Sequence, residues 1–137
     1  MSKASIEIDA PVSKVWEALV VPEIAKEYFF GADIISDWQE GSPITFKGSF
    51  NGNQYEEKGI LLSVKPNTQL QYTHWSNLEN LPDKPEHYRT WSFNLKAQEN
   101  HTQLSVTEDN IPTEKQQARS DEFWQGVLLS IKQLLER

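Results

Sequence analysis

Three polar side chains stand in phase with apolar strand faces. His74 follows Leu70 and Tyr72 at every second residue, Arg89 precedes Trp91 and Phe93, and Glu108 follows Leu104 and Val106. Residues two apart on a strand share a face. A turn at Gln98-Glu99-Asn100 pairs Leu95 with Leu104, Phe93 with Val106 and Trp91 with Glu108. Arg89 then lies diagonally from Glu108, within reach of a long side chain. Three uses of such a group follow from its chemistry. It can be a satisfied ion pair at the rim of a core. It can orient the polar end of a small molecule held in an apolar pocket. Or His74 or Glu108 can transfer protons as a general acid or base.

Other chemistries have no footing. The sequence has no His-Glu-x-x-His, no Gly-x-Gly-x-x-Gly, no phosphate loop and no Gly-x-Ser-x-Gly. His74, His87 and His101 are far apart and there is no cysteine, so no metal site and no cofactor is expected. Asn100-His101-Thr102 fits the glycosylation pattern, which matters only in a secreted protein.

The 137 residues carry 13 basic and 20 acidic side chains, a net charge of -7, with no cluster of Lys and Arg. Nucleic acid is therefore not an expected partner, and anionic lipid surfaces repel such a chain. No run approaches the ~18 apolar residues of a transmembrane helix, and the N-terminus lacks a signal-peptide stretch. The expectation is a cytoplasmic protein without stable membrane association. Five Trp, six Phe and four Tyr against a single Met can fill a solid core or line a cavity. Trp16, at helical spacing, reads as core, and Trp124 as core or lining. Trp38, Trp75 and Trp91 lie at or near strand ends and are pocket candidates. Tyr28-Phe29-Phe30 closes one end of a cavity or packs a helix on the sheet.

The elements that must position these residues follow from periodicity. Residues 5–9 alternate as a half-buried strand, and Ala10-Pro11 opens a helix with Pro11 at its first position. Pro22 breaks that helix and starts a second one that Gly31 ends. Residues 32–38 read as a weak strand, and Ile44, Phe46, Gly48 and Phe50 as one strand face. Asn51-Gly52 marks a hairpin. In 54–64, Ile60, Leu62 and Val64 share a face, with a bulge at Gly59 where the parity changes. Residues 76–86, with Pro82 and Pro85, form a long loop, either a proline-stiffened surface loop or a lid whose Leu78 and Leu81 cover a pocket mouth. Thr113 and Gln116 fit a capping box, and Ser120-Asp121 reads as a second cap that breaks the final helical region. Trp124, Val127, Leu128, Ile131, Leu134 and Leu135 form its apolar stripe. The predicted fold is α+β: a curved antiparallel sheet of six or seven strands around a long C-terminal helix, with two short helices after the first strand, all in one domain over 1–137.

Several segments carry a family resemblance. Ala10-Pro11-Val12-Ser13-Lys14-Val15-Trp16-Glu17-Ala18-Leu19 resembles the opening of the START-like, or SRPBCC, superfamily. Trp38 to Gly48 with Gly41-Ser42-Pro43, Gly59-Ile60-Leu61, Tyr72-Thr73-His74-Trp75 and Trp124-Gln125-Gly126-Val127-Leu128 are similar to the subfamily named for the activator of the heat-shock protein 90 ATPase. The resemblance implies a helix-grip, Bet v 1-like fold with a deep cavity between sheet and helix. The expected function is binding of a small hydrophobic or amphipathic molecule there. Trp38, Tyr72, His74, Trp75, Arg89, Trp91, Phe93, Glu108, Trp124, Val127, Leu128 and Ile131 are the expected contacts, with Arg89, His74 and Glu108 orienting a polar end. The alternatives are a cyclase- or hydrolase-like enzyme using the same cavity, and a chaperone-interacting regulator as the subfamily name suggests. Against the last stands the absence of room for the additional N-terminal domain of the activator that named the family.

Overall fold

In the computed structural model the described residues are 1–50 and 52–137, with Phe50 described by its backbone alone. Alternating β-formers give strands and the two helical patches give helices in the order the sequence suggests. Strand β1 (Ser2–Ile8) leads into α1 (Val12–Val20) and α2 (Pro22–Tyr28). Pro11 serves as the N-cap of α1, one position earlier than expected, while Pro22 sits at the first turn of α2. Proline suits both places because neither needs its missing N–H. After α2 the chain closes on itself, with the Gly31 N–H donating to the Lys26 carbonyl.

Six further strands follow: β2 (Asp33–Ile35), β3 (Pro43–Phe50), β4 (Asn53–Lys65), β5 (Gln69–Ser76), β6 (Arg89–Gln98) and β7 (His101–Glu108). They form a seven-stranded antiparallel sheet in the order β1-β7-β6-β5-β4-β3-β2. The chain then crosses the sheet as α3 (Glu114–Leu135), 22 residues or ~33 Å long. Its inner stripe, Trp124, Val127, Leu128 and Ile131, is at most 2% exposed. This is the helix-grip α+β fold.

Four expectations change. The strand over 32–38 shortens to Asp33–Ile35, and Trp38 has a positive φ of 60° in the connection that follows. The final helix is unbroken at Ser120, which is buried on its inner side, and the cap lies at Thr113, whose hydroxyl accepts from the Gln116 N–H. Residues 76–86 hold two 3-10 turns, Asn77–Glu79 and the start of Pro85–His87. In β4 the inward face belongs to Leu61, 1% exposed, while Ile60 and Leu62 are 43% and 46% exposed. The register shift falls between Leu61 and Ser63, past Gly59. Gly59 answers a different need: a Cβ there would lie 1.6 Å from the Thr73 carbonyl oxygen. Of the Asn51-Gly52 hairpin, Asn51 lies outside the described residues; on either side of it Phe50 pairs with Asn53.

Candidate functional site

The register that sets the site is the one the alternation predicts. Trp91 opposes Glu108, Phe93 opposes Val106 and Leu95 opposes Leu104, and on the other flank His74 opposes Arg89. Glu108 is 3% exposed and its carboxylate is shared among three donors. One oxygen accepts from Trp124 Nε1 at 2.9 Å; the other accepts from Trp91 Nε1 and Arg89 Nη1, each at 3.0 Å. A desolvated carboxylate needs such donors. Glu108 thus fixes two indole planes and one guanidinium. Arg89 Nη2 reaches Glu79 at 3.2 Å, and Gln116 Nε2 donates to the same Glu79 oxygen at 3.3 Å. Glu79 sits in the first 3-10 turn after β5, so the network ties that turn to β6, β7 and α3.

A second pair lies beside it. His74, 7% exposed, holds Glu57 Oε1 at 2.9 Å through Nε2. Its ring stacks on Trp91, centroids 3.7 Å apart and planes 16° apart, and meets Phe46 edge-on at 5.6 Å. Burial pushes the Glu57 carboxyl up. The hydrogen bond and charge of His74, with the Ser76 hydroxyl, outweigh it and hold Glu57 below the usual glutamate range.

Both clusters open into one cavity of about 420 Å³ between the N-terminal half of α3 and the β3–β7 end of the sheet. Its walls carry six aromatic residues, Phe29, Phe30, Phe46, Tyr55, Trp91 and Phe123. Phe30, 74% exposed, and Leu78, 45% exposed, stand at the mouth. Tyr55 folds across Gly48, its hydroxyl 2.5 Å from where a Cβ would stand, so a side chain there would displace the ring. From α3, Gln116, Arg119, Ser120 and Phe123 face the cavity. Their spacing of three and four residues is one helical face.

The cavity brings together His74, Arg89, Trp91 and Glu108 of the expected contacts. The others lie elsewhere. Tyr72, Phe93, Val127, Leu128 and Ile131 are packed at 2% exposure or less in the core beyond the cavity floor, and Trp124 is fully buried behind Glu108. Trp75 is on the outer face of β5, because it neighbours His74 in sequence and alternation turns it away. There its Nε1 donates to the Leu81 carbonyl, and Lys58 Nζ lies 5.8 Å from its ring. Trp38 packs on the core edge after β2, away from the cavity lining. Glu57, Glu79, Phe46, Tyr55, Arg119 and Phe123 went unseen in the sequence. The signal for Tyr55 and Glu57 was their shared parity with Leu61; for Arg119 and Phe123 it was the upstream continuation of the α3 stripe. Among the described residues no His, Asp or Glu cluster could hold a metal ion. No helix among them is long and apolar enough to cross a membrane.

The profile of the family described as Activator of Hsp90 ATPase homolog 1-like protein matches residues 9–136. The chain belongs to this family. A search of curated proteins found no match. Among solved structures, ChR145 from Cytophaga hutchinsonii is 44% identical over 98% of this chain and 92% of its own, with a TM-score of 0.86. The solution structure of the Aha1 dimer from Colwellia psychrerythraea is 27% identical, with a TM-score of 0.76 over 98% of this chain and 95% of that one. CalU16 from Micromonospora echinospora, at 19% identity, shares the fold with a TM-score of 0.72 over 97% of this chain and 74% of its own. These three structures share the overall fold of this chain.

Proposed function

We propose that the protein binds a small hydrophobic or amphipathic molecule in the cavity beneath the N-terminal half of α3. The observation that carries this reading is a space of about 420 Å³ walled by six aromatic residues over a fixed polar floor. Small-molecule sites have that form: mostly apolar walls and a few convergent polar groups. A core with no such use would gain by closing the gap, since unfilled volume forfeits dispersion contacts. The test is binding of the neutral dye Nile red, followed by its emission shift, together with native mass spectrometry of the fresh protein. Saturable binding that a cavity-filling Ser120→Leu variant loses supports the reading. No binding, with no co-purifying molecule, overturns it.

The pair of His74 and Glu57 favours a second reading, proton transfer on the bound molecule. A carboxylate holds one imidazole nitrogen, the arrangement that fixes a histidine's tautomer and orientation for acid–base work. Glu108 has no such part, because three donors occupy it. Turnover of an activated ester that His74→Gln abolishes would establish this reading. The family description adds a chaperone as partner, which co-sedimentation with the chaperone tests directly.

A further inference from the structure

We propose that the cavity selects the cationic form of its ligand: an amphipathic amine whose apolar body meets the rings and whose ammonium meets the carboxylates. This rests on the small-molecule reading above and names the ligand class. The sequence alone assigned Arg89, with His74 and Glu108, a polar end to orient and left its sign open. In the structure both terminal nitrogens of Arg89 end on carboxylates, Glu108 and Glu79, so its charge is already matched within the protein. The cavity is lined by three carboxylates, Glu57, Glu79 and Glu108, against two guanidiniums, Arg89 and Arg119. His74 is the partner of Glu57, and Arg89 is shared by Glu79 and Glu108. With the rim set aside, the carboxylates therefore outnumber their basic partners, His74 and Arg89, by three to two. Arg119 is exposed at the rim of α3, where solvent screens it. Glu57, its side chain 21% exposed, is the one of the three carboxylates that meets an imidazole and no guanidinium.

The walls agree with this sign. Phe46, Trp91 and Phe123 follow one another as ring neighbours, with centroids 6.3 and 6.5 Å apart. Aromatic faces carry negative potential and attract ammonium groups, most strongly when desolvated. The site's own tyrosine reports the same field: burial raises the Tyr55 hydroxyl, and the Glu57 and Asp33 charges raise it further. A ligand carboxylate would meet like-charged acceptor oxygens; an ammonium can add a further donor to them. The net charge of -7 on the whole chain favours the approach of cations.

The experiment compares three probes that share one apolar body: naphthylmethylamine, naphthylmethanol and naphthoate. Affinities are measured by calorimetry at neutral pH on the wild-type chain, Glu57→Gln and Arg119→Gln. The expected order is amine, alcohol, acid, with about tenfold or more between the first and last. Glu57→Gln should remove most of the amine's advantage while changing the alcohol's affinity far less, and Arg119→Gln should widen it. Equal affinities for the three probes, or tightest binding of naphthoate, would overturn the inference while leaving the binding reading intact. Absence of binding by all three would remove both. Should Glu57→Gln fail to fold by circular dichroism, the wild-type order and the Arg119→Gln shift still decide.

Discussion

Beneath the C-terminal half of α3, Phe93, Leu104, Val106, Leu128 and Ile131 interdigitate with at most 1% exposure each. Beneath its N-terminal half, the same helix and the same sheet stand apart around about 420 Å³. The difference follows from the side chains. These hydrocarbon side chains have no hydrogen bonds to keep and slide together until they touch. At the other end Glu108 pins Trp91 and Trp124 by their indole nitrogens and Arg89 by its guanidinium, so the rings cannot move inward without breaking buried polar contacts. A polar network holds the hollow end open, and its absence lets the solid end close.

The sharpest way to break that contrast is to hollow the solid end. Phe93→Ala should cost about 3–5 kcal/mol in urea denaturation, because the ring is fully enclosed. A loss under about 1 kcal/mol would mean that this end is as loosely filled as the other. Next in size is the prop itself. Glu108→Leu leaves two indole N–H groups without an acceptor and Arg89 with Glu79 alone, for a loss of about 3 kcal/mol. An unchanged midpoint would show that the network does not support the hollow end.

A pH series sharpens the comparison further. The Glu57 carboxyl titrates below its ordinary range in the folded state, so the unfolded chain takes up protons first as pH falls. The stability that Glu57 contributes is therefore complete above about pH 4.3 and is lost as pH drops below it, through the folded value. Asp83 and Glu136 are also lowered, through their contacts with Lys58 and Tyr88 and with the Asp9 N–H and Lys132. The readout is therefore the difference between wild type and Glu57→Gln. A Glu57→Gln variant with the same acid sensitivity would rule out this contribution. The smallest effect on stability belongs to Ser120→Leu. The added bulk enters existing space, so stability should change by about 1 kcal/mol or less, while Nile red affinity falls. A loss as large as that of Phe93→Ala would mean that Ser120 faces packed atoms.

Much of the solid end and part of the hollow one were legible in the sequence. Leu95, Phe93 and Trp91 find Leu104, Val106 and Glu108 in the register that alternation and the Gln98-Glu99-Asn100 turn dictate. That register alone brings Arg89 to Glu108. The face of β4 was not legible, because Ile60, Leu61 and Leu62 are apolar in succession and alternation has nothing to choose between. Only the contact of Gly59 with Thr73 and the later register shift decide, and both are tertiary. With β4 misread, Glu57 stayed hidden, and with it the partner of His74. Ser120 resembled a helix start because serine caps helices, yet it lies mid-helix and lines the cavity. Trp75 drew notice as a large aromatic, although its neighbour His74 already held the inward position.

The pairing of β1 with β7 has a consequence in time. Ser5 lies opposite Ser105 and Ile6 opposite Leu104, so the first strand finds its neighbour only after about a hundred residues of intervening chain. The hairpins of β3 with β4 and of β6 with β7 close over short loops and can form early. Until β7 exists, β1 is an edge with no ladder, and α3 has no closed sheet to lie on. Folding should therefore run in milliseconds to seconds, as non-local β topologies do. Substitution at Ile6 should accelerate unfolding in stopped-flow kinetics far more than it slows folding. Nascent chains truncated before β7 would carry that unpaired edge exposed to other chains.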